Sequence, residues 1–145
     1  MIRKYEDSDI DEVMEIWLSS TIDAHNFIDK EYWEKAYQIV KERYLPNSKT
    51  LVYQIESKIV GFISVISCDT IGALFIDKNF QRQGIGKKMV DEVKRNFDLL
   101  SVSVYQKNLN ASEFYKKQNF IFQYSQNDLN TSEMEDVFLF TRGDK

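Results

Sequence analysis

The sequence is poor in the residues that build covalent or metal-based frameworks. Among its 145 residues there is one cysteine, Cys68, and one histidine, His25, so neither a disulfide frame nor a four-ligand zinc site can be assembled within the chain. Proline occurs once, at Pro46, and glycine five times, which excludes collagen-like repeats and Pro/Gly-rich linkers. No apolar run approaches the roughly 18 residues that a membrane span requires; the uncharged stretch Ile59–Cys68 is about half that length. The segment Met1 to Asp7 alternates and turns acidic, unlike the basic start and apolar block of a secretory signal. The expectation is a cytoplasmic protein with no membrane contact.

Positive charge is also in short supply. Lys and Arg total 19 against 23 Asp and Glu, a net charge of −4, which argues against a nucleic-acid surface because phosphate binding needs a clustered cationic excess. One window breaks the trend: between Gln81 and Arg95, Arg82, Lys87, Lys88, Lys94 and Arg95 outnumber Asp91 and Glu92. What the chain has in quantity is apolar side chain, 43%, with 14% aromatic. That supports a packed interior, and the length fits one domain over residues 1–145.

Hydrophobic periodicity predicts strands at Ile2–Glu6, Leu51–Glu56, Ile59–Ser67, Ile71–Ile76, Leu99–Tyr105, Phe120–Tyr124 and Val137–Thr141. Helical spacing appears after Ser8 (Ile10, Val13, Met14, Trp17), after Asp29 as far as Tyr44 before Pro46, from Ile85 to Phe97, and from Ala111 to Gln118. Ser8 and Asp29 read as N-caps. The run Ile71 to Tyr105 is a βαβ unit, whose strands lie parallel with a right-handed crossover, while hairpins flank it. The prediction is an α/β (α+β) protein with a mixed, largely antiparallel seven-stranded sheet, its fourth and fifth strands parallel, and helices packed on its faces.

The segment Gln81-Arg82-Gln83-Gly84-Ile85-Gly86-Lys87 joins strand to helix within that unit. Unpaired N–H groups of a first helical turn favour an anion, and glycines at 84 and 86 let a phosphate approach the main chain. A P-loop would need glycine at 81 and Ser or Thr at 88; a Rossmann turn would need a third glycine at 89. Gln81, Lys88 and Met89 rule out both.

Gln81, Gly84 and Gly86 resemble the Gln/Arg-x-x-Gly-x-Gly/Ala loop of the GNAT superfamily of N-acetyltransferases, which seats the pyrophosphate of coenzyme A. Val104, Asn108, Ala111, Phe114, Tyr115, Lys117 and Phe120 resemble the same family's V-x-x-x-N-x-x-A-x-x-F-Y-x-K-x-G-F run. Tyr32-Trp33, Tyr44-Leu45 and Val104 to Asn108 look closest to the bacterial YiaC type, linked to protein lysine acetylation. The resemblance implies the acyl-CoA N-acyltransferase fold and transfer of acetyl from acetyl-CoA directly to a primary amine. The acceptor would be a protein lysine, an N-terminal amine or a small molecule, in a monomer or homodimer; a non-catalytic acyl-CoA sensor is the alternative. It also implies that main-chain groups of Leu74, Phe75 and Ile76 pair with the pantetheine arm, and that Arg82, Gln83, Gly84, Ile85, Gly86 and Lys87 hold the pyrophosphate. Asn108 would bind near the pantetheine, and Tyr115 would protonate the departing thiolate. No metal is implied.

Some positions depart from the family pattern. Lys78 replaces a frequent proline and Arg82 a frequent glycine, without loss of a needed N–H. Asn119 replaces the glycine before Phe120, and asparagine tolerates the left-handed conformation. Ser103 stands where several relatives carry a glutamate base. A lysine amine is neutral about one time in a thousand near pH 7.4, a handicap of about 4 kcal/mol, so a base matters. Asp69, Glu133, Glu135 and His25 are the candidates, acting through water. His25 also reads as a packing residue, Cys68 as a small buried hydrophobe, and Gln126–Asp136 as a solvated loop. The aromatic residues Phe27, Tyr32, Trp33, Tyr37 and Tyr44 read mostly as core, with Tyr32 the exception.

Overall fold

In a computed structural model that describes residues 1–143, seven strands form one sheet in the order β1-β2-β3-β4-β5-β7-β6. The strands are β1 Ile2–Lys4, β2 Lys49–Ile55, β3 Lys58–Ile66, β4 Thr70–Ile76, β5 Leu99–Tyr105, β6 Ile121–Asp128 and β7 Glu133–Thr141. The helices are α1 Ile10–Ala24, α2 Lys30–Ile39, α3 Ile85–Lys94 and α4 Leu109–Lys117. Every neighbouring pair is antiparallel except β4/β5, the parallel pair linked through α3. The expected mixed sheet is therefore present, with the βαβ unit at its centre. No helix among the described residues is long and apolar enough to cross a membrane.

Strand alternation, its phase shifted on β3 by a bulge at Val60, divides the apolar residues between the two faces. On β3, Ile59 and Phe62 pack with Val13, Met14 and Trp17 of α1, while Val60 and Ile63 pack with Met89, Val90 and Val93 of α3. Tyr115 of α4 and Phe120 and Phe138 join the α3 side. The sheet thus carries two cores, one against α1 and one against α3 and α4. Lys94 reaches from α3 to the Gln118 carbonyl just past α4, its ammonium 4.5 Å from the Phe140 ring centre. That contact ties the last turn of α4 to α3, and burial lowers the lysine's pKa.

Several local expectations change. The first helix is capped through a short 3₁₀ turn, Asp7–Asp9, in which Glu6 and Asp9 form a reciprocal capping box; Ser8 lies within that turn. Asp29 caps α2 as predicted, accepting from Glu31 N at 3.1 Å. The helix then loosens into a π turn, Val40–Tyr44, before Pro46. The segment 126–136 is no simple loop, since β6 runs to Asp128 and β7 starts at Glu133. Polar cross-strand pairs hold this hairpin, among them Ser125 to Asp136 at 2.7 Å and Gln126 to Glu135 at 2.7 Å. Such pairs carry no hydrophobic alternation to read. Cys68 is exposed at φ +85° in the β3/β4 turn rather than buried. Asn119 adopts φ +70°, the left-handed conformation expected of it.

Candidate active site

The site begins with one extra residue in β4. Ser64 lies opposite Ala73, but its neighbour Val65 lies opposite Ile71, so Gly72 has no partner and forms a bulge. The phase of the strand inverts there: Ile71, Leu74 and Ile76 all face the α3 core, whereas Ala73 and Phe75 face α1. Bulges bend strands, and the parallel pairing with β5 covers only Thr70/Ser101 and Ile71/Val102. Beyond Ile71, β4 continues on β3 as far as the Gly61/Ile76 pair while β5 departs. Gly61 permits this close passage, because a Cβ there would stand 2.6 Å from Ile76 Cδ1 and 3.1 Å from the Phe75 carbonyl oxygen. Leu74, Phe75 and Ile76 therefore border an opening in the sheet, with one main-chain edge unpaired.

The glycine loop sits at the end of this opening. Gln81 folds its amide back onto the Ile76 carbonyl at 3.0 Å, fastening the loop to β4. Arg82 and Gly84 both take positive φ, +66° and +81°. Gly84 is the N-cap of α3 and supplies no side-chain cap. The next intrahelical donor is Lys88 N, which binds the Gly84 carbonyl. Among the described residues, the N–H groups of Arg82, Gln83, Gly84, Ile85, Gly86 and Lys87 make no hydrogen bond, which leaves a row of donors at the positive end of a helix. Space above Gly84 is open, with no atom within 4 Å of where a Cβ would stand. Ile85 is buried and anchors the turn, while Lys87 pairs with Asp91 at 2.7 Å on the exposed face.

Helix α4 stands against the loop. The Phe114 ring lies 3.5 Å from the Cβ position of Gly86, and its neighbour Tyr115 is 6% exposed, packed edge-on to Phe114 and Phe120. Burial raises the Tyr115 pKa, so the phenol stays protonated at neutral pH. At the start of α4, Asn108 is the N-cap, and its Oδ1 accepts from Ala111 N at 3.2 Å.

The sequence pattern did not anticipate what faces Asn108. His25, at the C-terminus of α1, is 8% exposed, with Nε2 3.4 Å from Asn108 Nδ2 and Nδ1 3.2 Å from Thr21 Oγ1. Around it stand Trp33 at 5.2 Å, Tyr105 at 5.1 Å and Phe27 at 5.8 Å between ring centres. Tyr105 donates to Asp128 at 2.5 Å, and burial together with this bond raises its pKa. The indole N–H of Trp33 is buried without a partner among the described residues. Glu133 pairs with Lys107 at 3.2 Å, and Glu135 lies opposite Tyr105 across β7. Asp69 stands at the other end of the strand pair, where its carbonyl accepts from Ser101 N, so it does not join this group. Tyr44, expected in the core, is 56% exposed at the end of the π turn. Of these features, only the strand glycine at 72 gave a local signal, that of a bulge.

An extended, amide-bearing arm ending in a diphosphate fits this cleft: the unpaired β4 edge offers main-chain pairing, and the free N–H row offers an anion seat. Coenzyme A has that chemistry. Comparison with known proteins agrees. The family model for the acetyltransferase (GNAT) domain matches residues 10–132. Over 120 residues the chain is 35% identical to the peptidyl-lysine N-acetyltransferase YiaC of Escherichia coli strain K12, covering 83% of this chain and 82% of that protein. The solution structure of apo-form YjaB from Escherichia coli superposes with a TM-score of 0.83 at 26% identity, over 97% of this chain and 96% of that one. The paiA N-acetyltransferase of Thermoplasma acidophilum, solved in complex with coenzyme A, shares the fold with a TM-score of 0.76 at 21% identity, over 94% and 96% of the two chains.

Proposed function

This chain belongs to the GNAT family of acetyl-CoA-dependent N-acetyltransferases, and from that premise we propose that its acceptor is the ε-amine of a protein lysine. The observation that carries the reading is the opening beyond Ile71 and Val102, with the free N–H row at its end. The 35% identity to a peptidyl-lysine N-acetyltransferase supports the acceptor class. So do the carboxylates of Asp128, Glu133 and Glu135 around Tyr105, which favour a cationic side chain.

In this reading residues 1–145 act as one catalytic domain. When bound, acetyl-CoA supplies an activated acyl thioester. The main-chain groups of Leu74, Phe75 and Ile76 align the pantetheine arm as an added strand would, and the N–H groups from Arg82 to Lys87 hold the diphosphate. An N–H near Phe75 polarises the thioester carbonyl. Asn108 orients the arm through its amide. Tyr115, kept neutral by burial, donates its proton to the leaving sulfur. The amine proton leaves on the acceptor side through water toward Glu133 or Glu135. Asp69 is too far along the sheet for that role, and both nitrogens of His25 are engaged.

The test is acetylation of two peptides by the purified protein, one with a free lysine and a blocked N-terminus, the other the reverse, read by mass spectrometry. Acetylation of the lysine peptide alone is expected; acetylation of the α-amine alone overturns the acceptor assignment. With the lysine peptide, Tyr115→Phe should lower kcat by about 100-fold or more while the Kd for acetyl-CoA stays within about twofold.

A further inference from the structure

His25 and Asn108 are 83 positions apart, yet their side chains meet across the cleft. The orientation of the Asn108 amide is set by its capping role: Oδ1 accepts from Ala111 N, so Nδ2, a donor only, is the atom facing His25. A donor at 3.4 Å requires a lone pair on Nε2. The ring proton must then lie on Nδ1, where Thr21 Oγ1 stands at 3.2 Å ready to accept it. The imidazole cannot turn away from this arrangement easily. Its own main-chain N–H closes the last turn of α1 on the Thr21 carbonyl, and Trp33, Tyr105 and Phe27 enclose the ring.

We propose that His25 is a positioning residue: as a neutral, Nδ1-protonated imidazole it holds the Asn108 side chain, and through that N-cap the start of α4, in register with the glycine loop and Tyr115. The proposal rests on the site reading above, because it gives α4 its task. A second proton on Nε2 would set two donors face to face and release Asn108, so the lock holds only while His25 is neutral. Burial favours that state by lowering the imidazole pKa. The titratable groups packed around the ring are Tyr105 of β5 with Asp128 of β6 on its hydroxyl, Tyr32 of α2 beside Trp33, and Lys107, which lies over Phe27 and pairs with Glu133 of β7. None of these hydrogen-bonds either ring nitrogen among the described residues. The device joins the acceptor wall, built from α1 and α2, to the helix that carries the acid.

His25 is the sole histidine of this sequence, so its ¹⁵N NMR signals are unambiguous in this chain without any ligand. Expected are the Nδ1–H tautomer at pH 8, a titration midpoint below the ordinary value of about 6.5, and side-chain amide signals of Asn108 that move with the same midpoint. Asn108→Ala should raise that midpoint, since it removes a donor that favours neutral imidazole. In turnover, His25→Phe should lose about tenfold in kcat. His25→Gln, which can offer an amide oxygen to Asn108 and does not titrate, should keep kcat within about threefold and lose the kcat inflection at the imidazole midpoint. An Nε2–H tautomer, a midpoint unmoved by Asn108→Ala, or an inflection retained in His25→Gln overturns the proposal. The NMR arm decides even where a variant does not fold. Failure of this inference leaves acetyl transfer intact, whereas a protein that neither binds acetyl-CoA nor releases CoA contradicts the site reading alone.

Discussion

Helices α2 and α3 are the same length, ten residues each, and they are held in opposite ways. Helix α3 buries Ile85, Met89, Val90 and Val93 along one stripe, while α2 buries no residue fully and unwinds into the π turn. Beneath that turn lies an apolar pocket of about 210 Å³, lined by Met14, Trp17, Tyr44, Leu45 and Ala73. The difference follows from what each helix serves. In the proposed function the N-terminus of α3 presents its donors at fixed positions to a donor molecule that is the same in every turnover, which suits a helix nailed to the core. In the same proposal the α2 wall meets the acceptor, where looser packing costs the protein little.

The sharpest way to break this comparison is to remove one apolar side chain from each helix. Met89→Ala leaves a void in the α3 core and should destabilise the protein by about 2–5 kcal/mol, whereas Ile39→Ala, at a half-exposed site on α2, should cost less than about 0.5 kcal/mol. Chemical denaturation midpoints read both, and equal losses would refute the contrast. Next in size is the loop itself. Gly84→Val places a branched side chain at φ +81° and should raise the Kd for acetyl-CoA about tenfold, with the acceptor KM unchanged; titration calorimetry and two-substrate kinetics check the split.

A smaller effect than these concerns a polar clamp just ahead of α1. Arg3 grips Asp9 through two bonds of 2.8 and 2.9 Å, just before α1, and this partner lowers the Asp9 pKa. A depressed carboxylate stabilises the fold above its unfolded pKa of about 3.9 and loses that contribution as pH falls through the lower, folded value. Arg3 is partly exposed, so the contribution is about 1 kcal/mol. Melting temperatures of wild type and Asp9→Asn should therefore differ at pH 6 and converge toward pH 2; a constant difference would remove the clamp.

The same contrast decides what was legible in the sequence. The α3 side could be read locally: a strand, two spaced glycines and a 3.6-residue apolar stripe leave few alternatives, and the βαβ unit follows from their order. Asn108 and Tyr115 stand out by their resemblance to the family's run rather than by spacing alone, and α4 with its N-cap carries both. The wall built from α1 and α2 could not. His25 meets Asn108 and Tyr105 only through the tertiary fold, and no spacing rule links residues so far apart in the chain. The β6/β7 hairpin escaped for a related reason, since its far half is held by polar pairs such as Gln126 with Glu135. Cys68 looked buried because its residue type usually is, yet a turn conformation took precedence over side-chain preference.

The central claim is that the main-chain nitrogens of the glycine loop grip the diphosphate of acetyl-CoA. Backbone amide NMR during titration with coenzyme A addresses them one by one. The largest shifts should fall on Arg82 to Lys87, with a second set at Leu74 to Ile76 and little change along α2. Binding that moves the α2 amides and leaves Arg82 to Lys87 in place would contradict it.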